Sequence, residues 1–180
     1  CNIVPAGYFC GNCVVPLICP AGNYCPYNSY DPIPCIASYN PNTGSKTIDS
    51  CLSCPEGNFC PSGSTSPISC NQGTYCPVNV SNQIPCPQGT YNQNFGSKTI
   101  NDCLPCPDGT FGQQEGSTST KNCLPCSMGN YCPQKSPAPI ACPSNYYCPT
   151  TSIKIACSIG TYYDGISAIS ESSCKKCSPG

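Results

Sequence analysis

Residues Cys86 to Cys126 read CPQGTYNQNFGSKTINDCLPCPDGTFGQQEGSTSTKNCLPC, two copies of one 20-residue pattern. Each copy opens with Cys-Pro, places Gly three positions and an aromatic five positions later, and closes on Cys-x-x-Cys. The glycines are Gly89 and Gly109, and the aromatics are Tyr91 and Phe111. A leucine, Leu104 or Leu124, stands two residues before the next opening Cys. Self-similarity at a fixed period is the signature of a repeat architecture and is read before any element is assigned.

The same unit extends over the rest of the chain. Its opening positions are Val4, Cys19, Cys35, Cys54, Cys70, Cys86, Cys106, Cys126, Cys142 and Cys157, and Cys177 begins another. In the glycine column Asn145 is a substitute, the residue that best tolerates a left-handed turn position in place of Gly, and the unit at Cys35 lacks the Gly and carries its aromatic, Tyr39, one position early. The aliphatic column runs Leu17, Ile33, Leu52, Ile68, Ile84, Leu104, Leu124, Ile140 and Ile155. Short units carry a second Cys six positions in, at Cys10, Cys25, Cys60, Cys76, Cys132 and Cys148. Long units end instead in Cys-x-x-Cys. The order of lengths gives blocks at 4–53, 54–125 and 126–176, with 177–180 starting a further unit.

One aliphatic and one aromatic side chain beside a cystine cannot bury themselves within a single unit. Stacked neighbours can bury them together. The expected fold class is therefore small disulfide-rich repeats forming an elongated, solenoid-like rod of short β-strands and turns, with almost no helix. Pro and Gly total 38 residues, and no stretch sustains a helical period.

Composition sets the compartment. The chain has 22 Cys in 180 residues, above the roughly 8–10% that marks a disulfide scaffold. Bridges at that density belong to an oxidising environment, so the expected location is extracellular or at the cell surface. Four Leu, four Phe, one Met and no Trp are too few for a conventional core. Charged residues are 8%, with no Arg and no His, and the net charge is −1. A basic surface for phosphates is missing, which argues against nucleic-acid binding. No apolar run approaches the roughly 18 residues of a spanning helix, so no membrane insertion by this segment is expected. The chain opens inside a repeat at Cys1, which is the pattern expected of a segment from a longer secreted polypeptide.

Spacing suggests a disulfide connectivity. In the long units the opening Cys would meet the first Cys of the closing pair, giving Cys35–Cys51, Cys86–Cys103, Cys106–Cys123 and Cys157–Cys174. The short units leave quartets spaced 6-10-6. Joining equivalent positions of neighbours gives Cys54–Cys70 with Cys60–Cys76, and Cys126–Cys142 with Cys132–Cys148. Val4 replaces the first Cys of the remaining quartet, and its simplest repair is Cys10–Cys25 with Cys13–Cys19. Cys1 and Cys177 are then expected to pair outward.

The stretch from Cys86 to Cys126 resembles the ephrin-receptor-like cysteine-rich repeat, which is related in pattern to modules of tumour-necrosis-factor receptors. The long units follow that pattern closely. The short units depart from it through their added Cys, although a 1–3, 2–4 quartet is similar to one receptor module type. The resemblance implies an extracellular repeat. Such repeats occur in receptor ectodomains and also in long fibrous surface proteins such as flagellar-hair (mastigoneme) proteins.

Candidate sites are few. Cys103-x-x-Cys106 and Cys123-x-x-Cys126 have the spacing of a four-Cys zinc site. The same pair recurs at every long-unit boundary, so the favoured reading is adjacent cystine loops, with no metal and no cofactor. Without His the usual general base is absent, and the eight carboxylates are scattered. No catalytic residues and no enzymatic activity are expected. Asn79-Val80-Ser81 is the one N-glycosylation sequon. The expected function is a structural segment of an extracellular filament, coat or flagellar-hair-type glycoprotein. Its expected partners are further copies of itself and glycans. The alternative is a receptor or adhesin ectodomain that binds a protein ligand.

Overall fold

The structure, a computed structural model, describes residues 3–12 and 14–178. Among them the chain forms ten two-stranded antiparallel sheets, each of two residues per strand. The first strand carries the aromatic column and the second carries the aliphatic column. Their register sets the two columns face to face, as Phe9 opposite Leu17, Tyr24 opposite Ile33, Tyr91 opposite Leu104 and Phe111 opposite Leu124. Directly opposed residues share one face of a sheet, so each hairpin has one apolar side except the last, where Lys175 stands opposite Tyr162. The long units add single 3₁₀ turns, Ile48–Ser50, Ile100–Asp102, Thr120–Asn122 and Glu171–Ser173, just before the closing Cys pair. The fold is a set of small disulfide-rich repeats with short antiparallel strand pairs.

A tight turn starts each unit. The Thr90 amide donates to the Pro87 carbonyl at 3.2 Å, and Gly89 between them has φ 78°. A left-handed third residue in such a turn calls for Gly or Asn. Packing adds a second reason. A Cβ at Gly89 would lie 2.3 Å from the Lys135 carbonyl oxygen, and one at Gly22 would lie 2.0 Å from that of Gly63. Asn145, the substitute in this column, has φ 65°.

The chain divides into two compact units, Cys1–Ile84 with Asn94–Asp102, and Pro85–Gln93 with Cys103–Gly180. Within each, successive repeats are joined by the same backbone bonds. In the first unit the Gly57 amide donates to Cys76 O at 2.8 Å, Cys60 N to Val80 O at 2.9 Å, and Asn79 N back to Cys54 O at 2.9 Å. In the second, Gly89 N donates to Gly112 O at 2.8 Å, Asn92 N to Ser117 O at 2.9 Å, and Gly116 N to Cys86 O at 2.8 Å.

Nine disulfides join described residues. The long units hold Cys35–Cys51, Cys86–Cys103, Cys106–Cys123 and Cys157–Cys174. The short units differ from the neighbour-to-neighbour pairing that the spacing suggested. In place of Cys54–Cys70 and Cys60–Cys76 the bonds are Cys54–Cys60 and Cys70–Cys76. In place of Cys126–Cys142 and Cys132–Cys148 they are Cys126–Cys132 and Cys142–Cys148. Cys19 bonds Cys25, which overturns both Cys10–Cys25 and Cys13–Cys19. The Gly turn is the reason. It folds the chain back so that the opening Cys and the Cys six residues on lie 5.9 Å apart at Cα in the Cys54–Cys60 bond, inside the span a disulfide needs. Cys10 is buried. Cys1 and Cys13 lie outside the described residues. Cys177, the other cysteine expected to pair outward, is exposed and has no disulfide partner among the described residues.

The aliphatic column also departs from expectation. Leu17, Ile33, Leu52, Ile68, Leu104, Leu124, Ile140 and Ile155 are all exposed, and the fully buried side chains are dominated by half-cystines. Neighbouring repeats grip one another through the opening Cys, the Gly turn and the residue six positions in. The second strand takes no part in that grip, so its aliphatic side chain stays outside. Two rings of the aromatic column are buried. Tyr91 lies against Cys106 and Cys123, and Phe111 against Cys126 and Cys132, so each ring covers the cystine of the following repeat.

Candidate functional site

The cysteine spacing that fits zinc resolves into bonds. Cys103 is joined to Cys86, Cys106 to Cys123, and Cys126 to Cys132. These four sulfurs belong to three separate cystines and offer no thiolate to a metal. Among the described residues no group of three or more His, Cys, Asp or Glu side chains is placed to hold an ion.

The carboxylates act on local structure. Asp102 Oδ2 accepts the backbone amides of Lys98 at 2.7 Å and Thr99 at 2.9 Å, holding the start of a 3₁₀ turn. The amides of Thr99 and Lys98 keep the Asp102 carboxyl below the usual Asp range, because they stabilise its charged form. The Lys98 ammonium bonds Glu56 Oε1 at 2.6 Å, which raises its pKa. This bridge ties the Gly57 turn to the loop of the second repeat after it. Both side chains are more than half exposed, so the pair adds little stability. Asp108 Oδ1 accepts the Gln134 amide at 2.8 Å in the same manner.

Lys154 is the one cation set against aromatic rings among the described residues. Its Nζ lies 5.3 Å from the Tyr131 centroid and 4.9 Å from that of Tyr146. An exposed cation–π contact contributes about 0.5–1 kcal/mol. A groove of about 220 Å³ is lined by Gln113, Gln114, Lys121, Asn122 and Leu124. A groove of about 160 Å³ is lined by Tyr24, Ile33, Pro34, Ile36 and Ile48 with neighbouring Cys and Ser. It is about half the lower limit of roughly 300 Å³ for drug-sized ligand pockets.

Sequence reasoning missed a second left-handed column, nine or ten residues after the opening Cys of eight units. It comprises Asn28, Gly44, Gly63, Asn79, Gly96, Gly116, Lys135 and Ser167, with φ from 57° to 77°. Each donates its amide to the opening residue of the preceding repeat, as Asn79 does to Cys54. Four glycines in that column were a visible signal. Asn79, the sequon residue, therefore sits at a structural joint with its side chain exposed.

No helix among the described residues is long and apolar enough to cross a membrane. No curated protein matches the chain. Residues 73–123, which include the cystine loops of the two long units opened by Cys86 and Cys106, match the family described as Tyrosine-protein kinase ephrin type A/B receptor-like, so this part of the chain is similar to an ephrin-receptor-like cysteine-rich module.

Proposed function

We propose that this chain is a non-enzymatic structural segment of an extracellular filament or coat, built to join with further copies of itself. The observation that carries the reading is the joining of consecutive repeats by three recurring backbone hydrogen bonds, with a cystine closed inside each repeat from the one opened by Cys19 to the one opened by Cys157. Such a chain resists extension and proteolysis, because opening one repeat releases only the residues outside its own cystine loop. Composition agrees with this role. A net charge of −1 with few charged groups favours association. Arg and Trp, the side chains that anchor many protein-binding hot spots, do not occur in the sequence.

A receptor or adhesin ectodomain is the second reading, favoured by the match of residues 73–123 to a receptor-like family. Electron micrographs of native material, together with size-exclusion chromatography, separate the two. The filament reading expects polymers. Monodisperse monomers bound to one defined protein partner would overturn it.

A further inference from the structure

We propose that Asn79 carries an N-linked glycan, presented outward from a turn that the backbone fixes on both sides. The proposal rests on the extracellular reading and on neither the filament nor the receptor alternative. The sequon Asn79-Val80-Ser81 supplies the amide and, two residues on, the hydroxyl that the transfer requires. The structure adds what the motif alone lacks. Asn79 is exposed and adopts φ 57°. Its amide is bonded to Cys54 O, and the carbonyl of Val80 accepts from Cys60 N, each at 2.9 Å. The main chain at the site is therefore held while the side chain is spare.

The equivalent asparagine shows the difference. Asn28, in the same column, turns its Oδ1 back to accept the Val4 amide at 3.1 Å. The Asn79 carboxamide makes no hydrogen bond with any described residue. Modifying Nδ2 thus removes no interaction from the fold. Val78 beside it is 58% exposed, and an attached oligosaccharide would shield that apolar surface.

The co-reactant is a polyprenyl-diphosphate-linked oligosaccharide. Nδ2 attacks the anomeric carbon and a C–N bond forms. The C–O bond to the diphosphate breaks, the diphosphate leaves with the electron pair, and Nδ2 gives up one proton to the transferase.

The test is mass spectrometry of the native protein, reading thiol state and the reduced peptide 47–98 together. The expected result is oxidised cysteines with an oligosaccharide on Asn79, removed by a peptide amidase that leaves Asp. In secreting eukaryotic cells, Asn79→Gly and Ser81→Ala should each lose the whole glycan mass. Gly suits the left-handed backbone, and Ser81→Ala leaves Asn79 itself intact, so the two variants separate loss of the site from loss of the fold. Oxidised protein with unmodified Asn79, or a glycan that persists in Ser81→Ala, would overturn the proposal alone. Reduced cysteines with no glycan would overturn the extracellular reading as well.

Discussion

The residue six positions after each opening Cys decides how its repeat is closed. Where it is Cys, the bond is local, as in Cys54–Cys60. In the long units Asn92, Gly112 or Tyr163 stands there, and the opening Cys reaches the Cys-x-x-Cys pair instead. In the remaining long unit a fully buried asparagine, Asn40, stands one position earlier and bonds Asn23 O and Ser45 Oγ, each at 2.8 Å. Removing such a buried partner leaves its neighbours unsatisfied, which costs about 1–3 kcal/mol. Asn40→Ala should therefore speed amide exchange across its repeat by roughly one to two orders of magnitude. Unchanged exchange would count against the bonds described. Gly89→Ala should be comparably harmful, since it meets both a positive φ and a carbonyl at 2.3 Å. Its thermal midpoint is expected to fall, whereas Asn79→Gly, at a left-handed position without such an obstacle, should match the parent. The glycine, aromatic and long-unit cysteine columns were legible in the sequence, because each residue type answers a local need. The short-unit bonds were not. A quartet spaced 6-10-6 admits three pairings, and only the turn that brings Cys54 to Cys60 chooses among them.

At the scale of the hairpin and its loop, cystine size sets stability. The Cys54–Cys60 bond spans 6 residues and Cys106–Cys123 spans 17. Loop-closure entropy assigns about 2 kcal/mol to the first and about 3 kcal/mol to the second. Paired Cys→Ser variants should follow that order in local exchange free energy, with the larger loss at Cys106/Cys123. The reverse order would show that strain or residual structure outweighs chain entropy. Exposure of the aliphatic column was hidden from the sequence for a related reason. Periodicity shows that Leu104 and Leu124 recur, but only the stitching through Gly89, Asn92 and Gly116 shows that the strand carrying them is left outside. The turn held by Asp102 carries a pH dependence. Its carboxyl titrates below the usual value near 3.9. A depressed carboxylate stabilises the fold above the unfolded-state pKa, and that contribution is lost as pH falls through the lower folded value. Acidification below about pH 4 should loosen residues 98–102, read as Asp102 side-chain and Thr99 amide shifts by NMR. Asp102→Asn should remove the acid transition.

For the whole molecule, covalent topology is what sets one repeat apart from the next. Every disulfide among the described residues closes within one repeat, and the links that recur from repeat to repeat are hydrogen bonds of the backbone, with side-chain contacts such as Asn40 to Asn23 O and Lys98 to Glu56 beside them. Stability is then a sum of repeat and nearest-neighbour terms, so a chain of such units can be lengthened without redesign. This property suits a filament or coat, and it explains why a core poor in large apolar side chains suffices. The most direct test is non-reducing peptide mapping of the intact native protein after proteolysis on both sides of each cysteine. The linked pairs expected are Cys54–Cys60, Cys70–Cys76, Cys126–Cys132 and Cys142–Cys148. Recovery of Cys54–Cys70, Cys60–Cys76 or any other bond between different repeats would contradict this topology.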